Sequence, residues 1–281
     1  MSRSLVIVTD STAYLPRAAI ESHAIRVVPL TVVLGREALE DGTEEAGRRL
    51  EQALRQRQPV TTSRPGPSMF AAAYRAAAEA GATGIVSLHL SSEISGTYDA
   101  AVVAARAAPV PVRVVDSGMV AMALGFAVLA AAEVTAVGGT LDEAVAGAVK
   151  RAEATRAYFY VDTLEHLRRG GRIGAAQALL GSALAVKPLL ELTEGRIELR
   201  EKVRTAGKAI ARLEELAVDH AGAGPVDIAV HHVAAGERAA QLAERLSRRL
   251  PGLAELHVSE VGAVLGAHTG PGLLGVVVSP R

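Results

Sequence analysis

Along its first half this chain switches repeatedly between short β-branched runs and longer helix-patterned stretches, with a polar turn at each change. Residues 5–9 form the first run, Asp10-Ser11-Thr12 the turn, and Pro16 opens a helical stretch towards His23. Residues 26–34 read as a second strand and residues 43–58 as an exposed helix, which Gln58-Pro59 ends. Pro65-Gly66-Pro67 punctuates a loop before a helix over residues 68–80, followed by a strand at 84–90, a hydroxyl-rich loop, and a helix over 97–107. A strand at 112–115 then ends at Asp116-Ser117 before a long helix. This order predicts a mainly parallel sheet with flanking helices, because parallel neighbours need crossover connections. Ligand sites on such sheets lie in the loops at the carboxyl ends of the strands.

Past Thr155 the pattern changes. Residues 158–161 read as a strand and 164–169 as a short helix broken by Gly170-Gly171. Gly195 separates two alternating runs, 189–193 and 196–203, as in a hairpin. Helices are expected over 208–220 and 237–250, and strands over 226–232, 258–264 and 275–278. The expected architecture is α/β with two domains: a mainly parallel β-sheet domain with flanking helices over residues 1–155, then a mixed or antiparallel α+β domain over 156–281. No low-complexity linker separates them, so they should pack together around a ligand cleft between or within them.

Hydrophobic residues make up 49% of the 281 positions and aromatic residues only 3%, so the core must be built from Ala, Val and Leu. Such packing suits aliphatic cargo better than stacked bases. Lys and Arg (30) balance Asp and Glu (30), which gives no global field towards nucleic acid. The absence of cysteine excludes disulfides, thiolate metal ligands and cysteine catalysis, and suits a reducing compartment. Residues 1–10 run into a strand pattern with no signal-peptide core. Residues 120–137 are apolar but interrupted by Gly125 and Glu133, so a buried helix is expected rather than a membrane span. The expectation is a soluble cytoplasmic protein.

Gly270-Pro271-Gly272-Leu273-Leu274-Gly275 satisfies the spacing of a dinucleotide fingerprint but is followed by a valine-rich strand pattern, not by the helix that fingerprint needs. No phosphate loop, nucleophile elbow or zinc-protease motif is present. His231-His232 are adjacent on an expected strand, so they point to opposite faces and suit structural or surface roles better than a shared metal. Three stretches carry hydroxyls and one imidazole: Thr61-Thr62-Ser63, Ser95-Gly96-Thr97, and Gly266 to Gly272 around His268. Each has a plain alternative. Ser95 could simply cap a helix, the threonines could satisfy their own turn, and a lone histidine in a glycine-rich loop is modest evidence. Residues 168–212 hold ten basic residues against four acidic ones, an ordinary solvated face or a docking surface for an acidic partner, phosphates or an anionic membrane.

In order, Val8-Thr9-Asp10-Ser11-Thr12, Thr61-Thr62-Ser63-Arg64-Pro65, Ser91 to Tyr98, Val115-Asp116-Ser117, Asp162 to Leu167 with Gly170-Gly171-Arg172-Ile173, and Gly266-Ala267-His268-Thr269-Gly270-Pro271-Gly272 resemble the landmarks of the DegV family almost end to end. That family includes the fatty-acid-binding subunits of bacterial fatty acid kinase. The resemblance implies a two-domain protein enclosing a long-chain fatty acid, with its carboxylate on Thr62, Ser95 and His268 and with Gly96 and Thr61 as neighbours. It implies no cofactor or metal on this chain, and no catalytic residue of its own. A separate ATP-binding kinase subunit would convert the held carboxylate to an acyl phosphate, with Arg172 and Arg204 matching basic positions near that partner. Transient contact with an anionic membrane belongs to the same picture; nucleic acid does not. Two departures stand out: Arg64 where the family usually has Gln, and Ile94 where Leu is frequent. The rival reading is a stand-alone acyl hydrolase or transferase with Ser95 as nucleophile and His268 as base.

Overall fold

The computed structural model describes residues 5–179 and 187–281. Residues 1–4, which enter the reading of the amino terminus, and residues 180–186, within the basic segment, lie outside it. In chain order the first half comprises β1 (Leu5–Asp10), α1 (Arg17–Ser22), β2 (Arg26–Val28), β3 (Thr31–Leu34), β4 (Glu37–Glu40), α2 (Glu44–Arg55), β5 (Val60–Ser63), α3 (Pro67–Glu79), β6 (Gly84–His89), α4 (Thr97–Ala105), β7 (Val112–Asp116), α5 (Met122–Ala136) and α6 (Leu141–Ala154). The second comprises β8 (Arg156–Tyr160), α7 (Glu165–Arg169), β9 (Lys187–Thr193), β10 (Arg196–Val203), α8 (Ala206–Ala221), β11 (Val226–His232), α9 (Gly236–Arg249), β12 (Leu253–Glu260), α10 (Ala263–Thr269) and β13 (Leu274–Pro280). Short 3-10 turns occupy Ser11–Ala13 and Gly174–Leu179.

Strands β2-β1-β6-β7 form a wholly parallel sheet, with Val8 opposite Arg26 and Leu88 opposite Val115. Strands β10-β9-β8-β13-β11-β12 form a mixed sheet in which only β11 and β12 run parallel. Helices α3 and α4 cover one face of the first sheet through Phe70, Tyr74, Ala101 and Ala104. Helices α8 and α9 cover the outer face of the second through Leu213, Leu216, Leu242 and Leu246. Between the sheets lies the α5–α6 pair, whose core takes Ile7 and Leu88 from one side and Leu192 and Val277 from the other. That position explains α5: a helix buried on nearly every side cannot be amphipathic, and Met122, Leu124, Phe126 and Val128 are all inaccessible. Helix α6 starts at a reciprocal cap, with Thr140 Oγ1 accepting from Glu143 N at 3.2 Å and Thr140 N donating back at 2.7 Å. Its Arg151 crosses to the buried Asp227 of β11, which Arg281 also holds.

Several elements differ from the sequence expectation, among them β4 and β5, which fall where no strand is expected. The single strand over 26–34 is broken at Pro29-Leu30, where proline has no N–H to continue a ladder. Beyond that break β3 leaves the parallel sheet and pairs antiparallel with β4 and β5 in a third sheet, β4-β3-β5. The closing strand over 258–264 is also two elements: β12 stops at Glu260 and α10 begins at Ala263. A short apolar run does not distinguish strand from buried helix by periodicity.

Candidate functional site

The small third sheet exists to the benefit of one residue. Side chains alternate along β5, so Thr62 turns inward, half-buried, while Thr61 and Ser63 on either side are exposed. Thr62 Oγ1 lies 2.8 Å from His268 Nε2, a hydrogen bond joining residues 206 positions apart. Thr61, expected beside the same ligand atoms, faces the other way and does not line the aliphatic cavity that Thr62 and His268 share.

His268 sits in the last turn of α10, not in a loop. A seven-residue helix has little stability of its own, and this one is held at its start by Asp41. Asp41 Oδ1 accepts from Val264 N at 3.0 Å, and Oδ2 accepts from Ser11 Oγ at 2.9 Å and Tyr14 Oη at 3.4 Å. Burial raises the Asp41 carboxyl above its ordinary range. Sequence reasoning misses Asp41, because nothing in Glu40-Asp41-Gly42 distinguishes a helix cap for a distant segment from an ordinary turn. At the other end of α10, α7 closes on the imidazole through Gly170. A Cβ there would lie 2.1 Å from His268 Nδ1, so only glycine permits the approach. Nδ1 is buried without a hydrogen-bond partner. Burial, with the Arg172 charge second, lowers the His268 pKa to about 4, so the ring is neutral at physiological pH.

Ser95 is delivered by the loop between β6 and α4, which is braced by four contacts. Asp116 at the end of β7 accepts from Ser92 N at 3.2 Å, and Ser91 Oγ donates to Gly195 O in the β9–β10 turn at 2.7 Å. Arg172 Nε donates to Ile94 O at 2.9 Å and Arg64 Nη1 to Gly96 O at 3.2 Å. Ser95 Oγ pairs with Thr97 Oγ1 at 2.8 Å and accepts from Thr97 N at 3.3 Å, as a residue opening a helix does. It nonetheless faces the same space as Thr62 and His268.

That space is a cavity of about 410 Å³. Thr62, Arg64, Ser95, Gly96, Arg172 and His268 all line it. The rest of the wall is largely aliphatic, including Leu90, Val120, Leu192, Ile197, Leu273 and Val277. The arrangement offers hydroxyl, imidazole and two guanidinium groups to an anion, beside space for a hydrocarbon. Arg64, a departure from the family pattern, thus brings positive charge to the polar end of the cavity. Arg172, expected at a partner surface, is committed to Ile94 O and to Gly170 O at 2.7 Å. Arg204 lies at the far end of β10, exposed, outside the cavity lining. His231 also lines the cavity; its Nε2 accepts from Met122 N at 3.2 Å, and burial lowers its pKa to about 4.

The same geometry bears on the hydrolase reading. A serine nucleophile needs its base within hydrogen-bond reach and that base oriented by a third group. The hydroxyl of Ser95 is engaged by Thr97, His268 Nε2 by Thr62, and Nδ1 by nothing. A Ser87–His89–Asp10 chain does have triad order, at 2.7 and 3.1 Å, but all three residues are inaccessible to solvent, with Tyr74 of α3 on Ser87 and Phe70 of α3 against the His89 ring. It ties β1 to β6. Among the described residues no cluster of histidine and carboxylate side chains could hold a metal, and no helix is long and apolar enough to cross a membrane.

Comparison with known proteins places this geometry among relatives. The model of the DegV family, described as "Uncharacterised protein, DegV family", matches residues 4–281. A DegV domain-containing protein of Streptomyces coelicolor is 73% identical over 281 residues, all of both chains. The fold is similar to a Thermus thermophilus structure titled for fatty acid binding of a DegV family protein, with a TM-score of 0.93 at 36% identity, covering 99% of this chain and 100% of that one. It is also similar to DegV of Bacillus subtilis, described as a fatty acid binding protein, with a TM-score of 0.91 at 36% identity and full coverage of both. Matched along almost its whole length by the family model, and by relatives in sequence and in fold, the chain belongs to the DegV family.

Proposed function

We propose that this protein binds a long-chain fatty acid, with the tail in the aliphatic cavity and the carboxylate on Thr62, Ser95 and His268. The observation that carries the reading is that Thr62 and His268, 206 positions apart, are hydrogen-bonded to each other and line, together with Ser95, one largely aliphatic cavity. Each buried methylene contributes about 0.8 kcal/mol of transfer free energy, so a dozen of them give on the order of 10 kcal/mol before ordering costs. Affinity therefore comes from the tail and orientation from the head. Arg64 and Arg172 favour the ionised head group, and the neutral imidazole gives it a hydrogen bond without a fixed opposing charge.

The held carboxylate is then a nucleophile for a separate ATP-dependent kinase subunit: one oxygen attacks the γ-phosphorus, ADP leaves, and an acyl phosphate remains. Supporting this division of labour, the chain has no phosphate-loop motif, and no base is paired with Ser95. Exposed Arg204 belongs to the partner-facing surface, and a partner that consumes ATP goes with a cytoplasmic location. Hydroxylamine trapping tests the proposal. Fatty acyl hydroxamate should accumulate when this protein, fatty acid, Mg-ATP and a kinase subunit from the same genome are combined, and not when any one is omitted. Release of fatty acid from a p-nitrophenyl ester by this chain alone, abolished in Ser95→Ala, would favour the hydrolase instead.

A further inference from the structure

Two cavities meet at one side chain. The aliphatic cavity of about 410 Å³ and an open cleft of about 1160 Å³ flank the segment joining β12 to α10, and Val261 is the residue that lines both. The residues after it divide between them: Gly262 and Ala263 line the cleft, Val264 and Leu265 the cavity. Val261 is 7% exposed, and its N–H donates to His232 O at 3.0 Å, so its isopropyl group is a fixed part of the wall. Beyond it the cleft has an apolar floor that includes Leu50, Leu54, Val233 and Leu256, while charged Glu44, Arg48 and Arg55 of α2 are exposed.

Size makes the wall matter. The aliphatic cavity, at about 410 Å³, is the smaller of the two spaces, so the length of chain it can hold is limited. At the wall shared with the larger cleft, one residue, Val261, lines both spaces, so an acyl chain that outgrows the cavity meets that side chain before the cleft. Resting on the fatty-acid reading, we propose that Val261 is the stop that sets the longest acyl chain held, and that the apolar floor of the cleft receives the methyl end once that stop is removed.

The test is a binding series of even-numbered saturated acids from octanoate to eicosanoate on the delipidated full-length protein. Affinity of the unaltered protein should climb about fourfold per added methylene and level off where the cavity is full. Val261→Ala should move that plateau to a longer acid while leaving the affinity for octanoate, too short to reach the wall, within about twofold, a negligible change on this scale. Val261→Leu, which thickens the same wall, should bring it in to a shorter acid. Coincident profiles for the unaltered protein, Val261→Ala and Val261→Leu overturn the inference. If the unaltered protein binds none of the acids, the fatty-acid reading itself is what fails.

Discussion

In the proposed function Thr62, Ser95 and His268 each offer a polar group to one anion, and a hydrogen bond to a charged partner contributes about 1.5–3 kcal/mol. Thr62→Ala, Ser95→Ala and His268→Ala should each weaken fatty-acid binding by roughly tenfold to a hundredfold. The same variants should bind the alcohol of equal chain length almost as the unaltered protein does; isothermal titration with the two ligands separates head-group from tail effects. Protonation acts at the same scale. His231 is fully buried, and its pKa of about 4 in the folded chain lies below its ordinary value of 6.5. The unfolded chain therefore binds a proton that the folded one refuses between those values, and stability present above pH 6.5 is lost as pH falls towards 4. A shift of this size corresponds to about 3 kcal/mol, and His268 pulls in the same direction. Urea midpoints should fall between about pH 7 and about pH 4.5, and fall less steeply in His231→Gln. Hydroxyls and an imidazole beside glycines mark Thr62, Ser95 and His268 as candidates in the sequence, but each also has a plain structural reading there, and their assignment to a head group comes from the family resemblance. Thr61 is grouped with them in the sequence but is exposed and off the cavity lining in the structure, because adjacent strand residues point to opposite faces and the sequence of that strand reads as a turn.

At the scale of elements, the site depends on parts that lend each other stability. Helix α10 carries His268 but takes its cap from Asp41, so Asp41→Ala leaves Val264 N and Ser11 Oγ without that partner. The expected cost is about 1–3 kcal/mol in denaturant unfolding, together with weaker fatty-acid binding through a loosened His268. The β9–β10 turn is the second such part. Gly195 has φ +76°, and a Cβ there would lie 2.5 Å from Ser91 Oγ, so Gly195→Ala should displace the Ser91–Gly96 loop. Protection of that loop's amides in hydrogen exchange should fall, whereas amides of α8 should keep theirs. The hairpin itself is legible from alternating residues about a glycine. The antiparallel β4-β3-β5 sheet is not, because Pro29 hides a change of sheet inside what reads as one continuous strand, and α10 is not, because Val261 to Leu265 is apolar without a period.

Across the whole molecule, the layers run α3/α4, parallel sheet, α5/α6, mixed sheet, α8/α9, so the two halves share the central helix pair as a common core. Position 155 falls between α6 and β8, where the chain passes from that pair into the second sheet. Alternation of strand and helix makes the parallel sheet and its flanking helices readable from sequence, and hairpin signals do the same for the mixed sheet. Cavity dimensions are not readable, because they depend on how β8, β13, β5, α10 and the Ser95 loop enclose a common space. Central to the proposed function is that this space holds an acyl chain with its acid group at Thr62, Ser95 and His268. Mass spectrometry of small molecules released when the purified protein is denatured tests it directly. Long-chain fatty acid at close to one molecule per chain, sharply reduced in the Thr62→Ala, His268→Ala double variant, is the predicted result. Protein that carries no fatty acid, and takes up none when hexadecanoate is supplied, would contradict it.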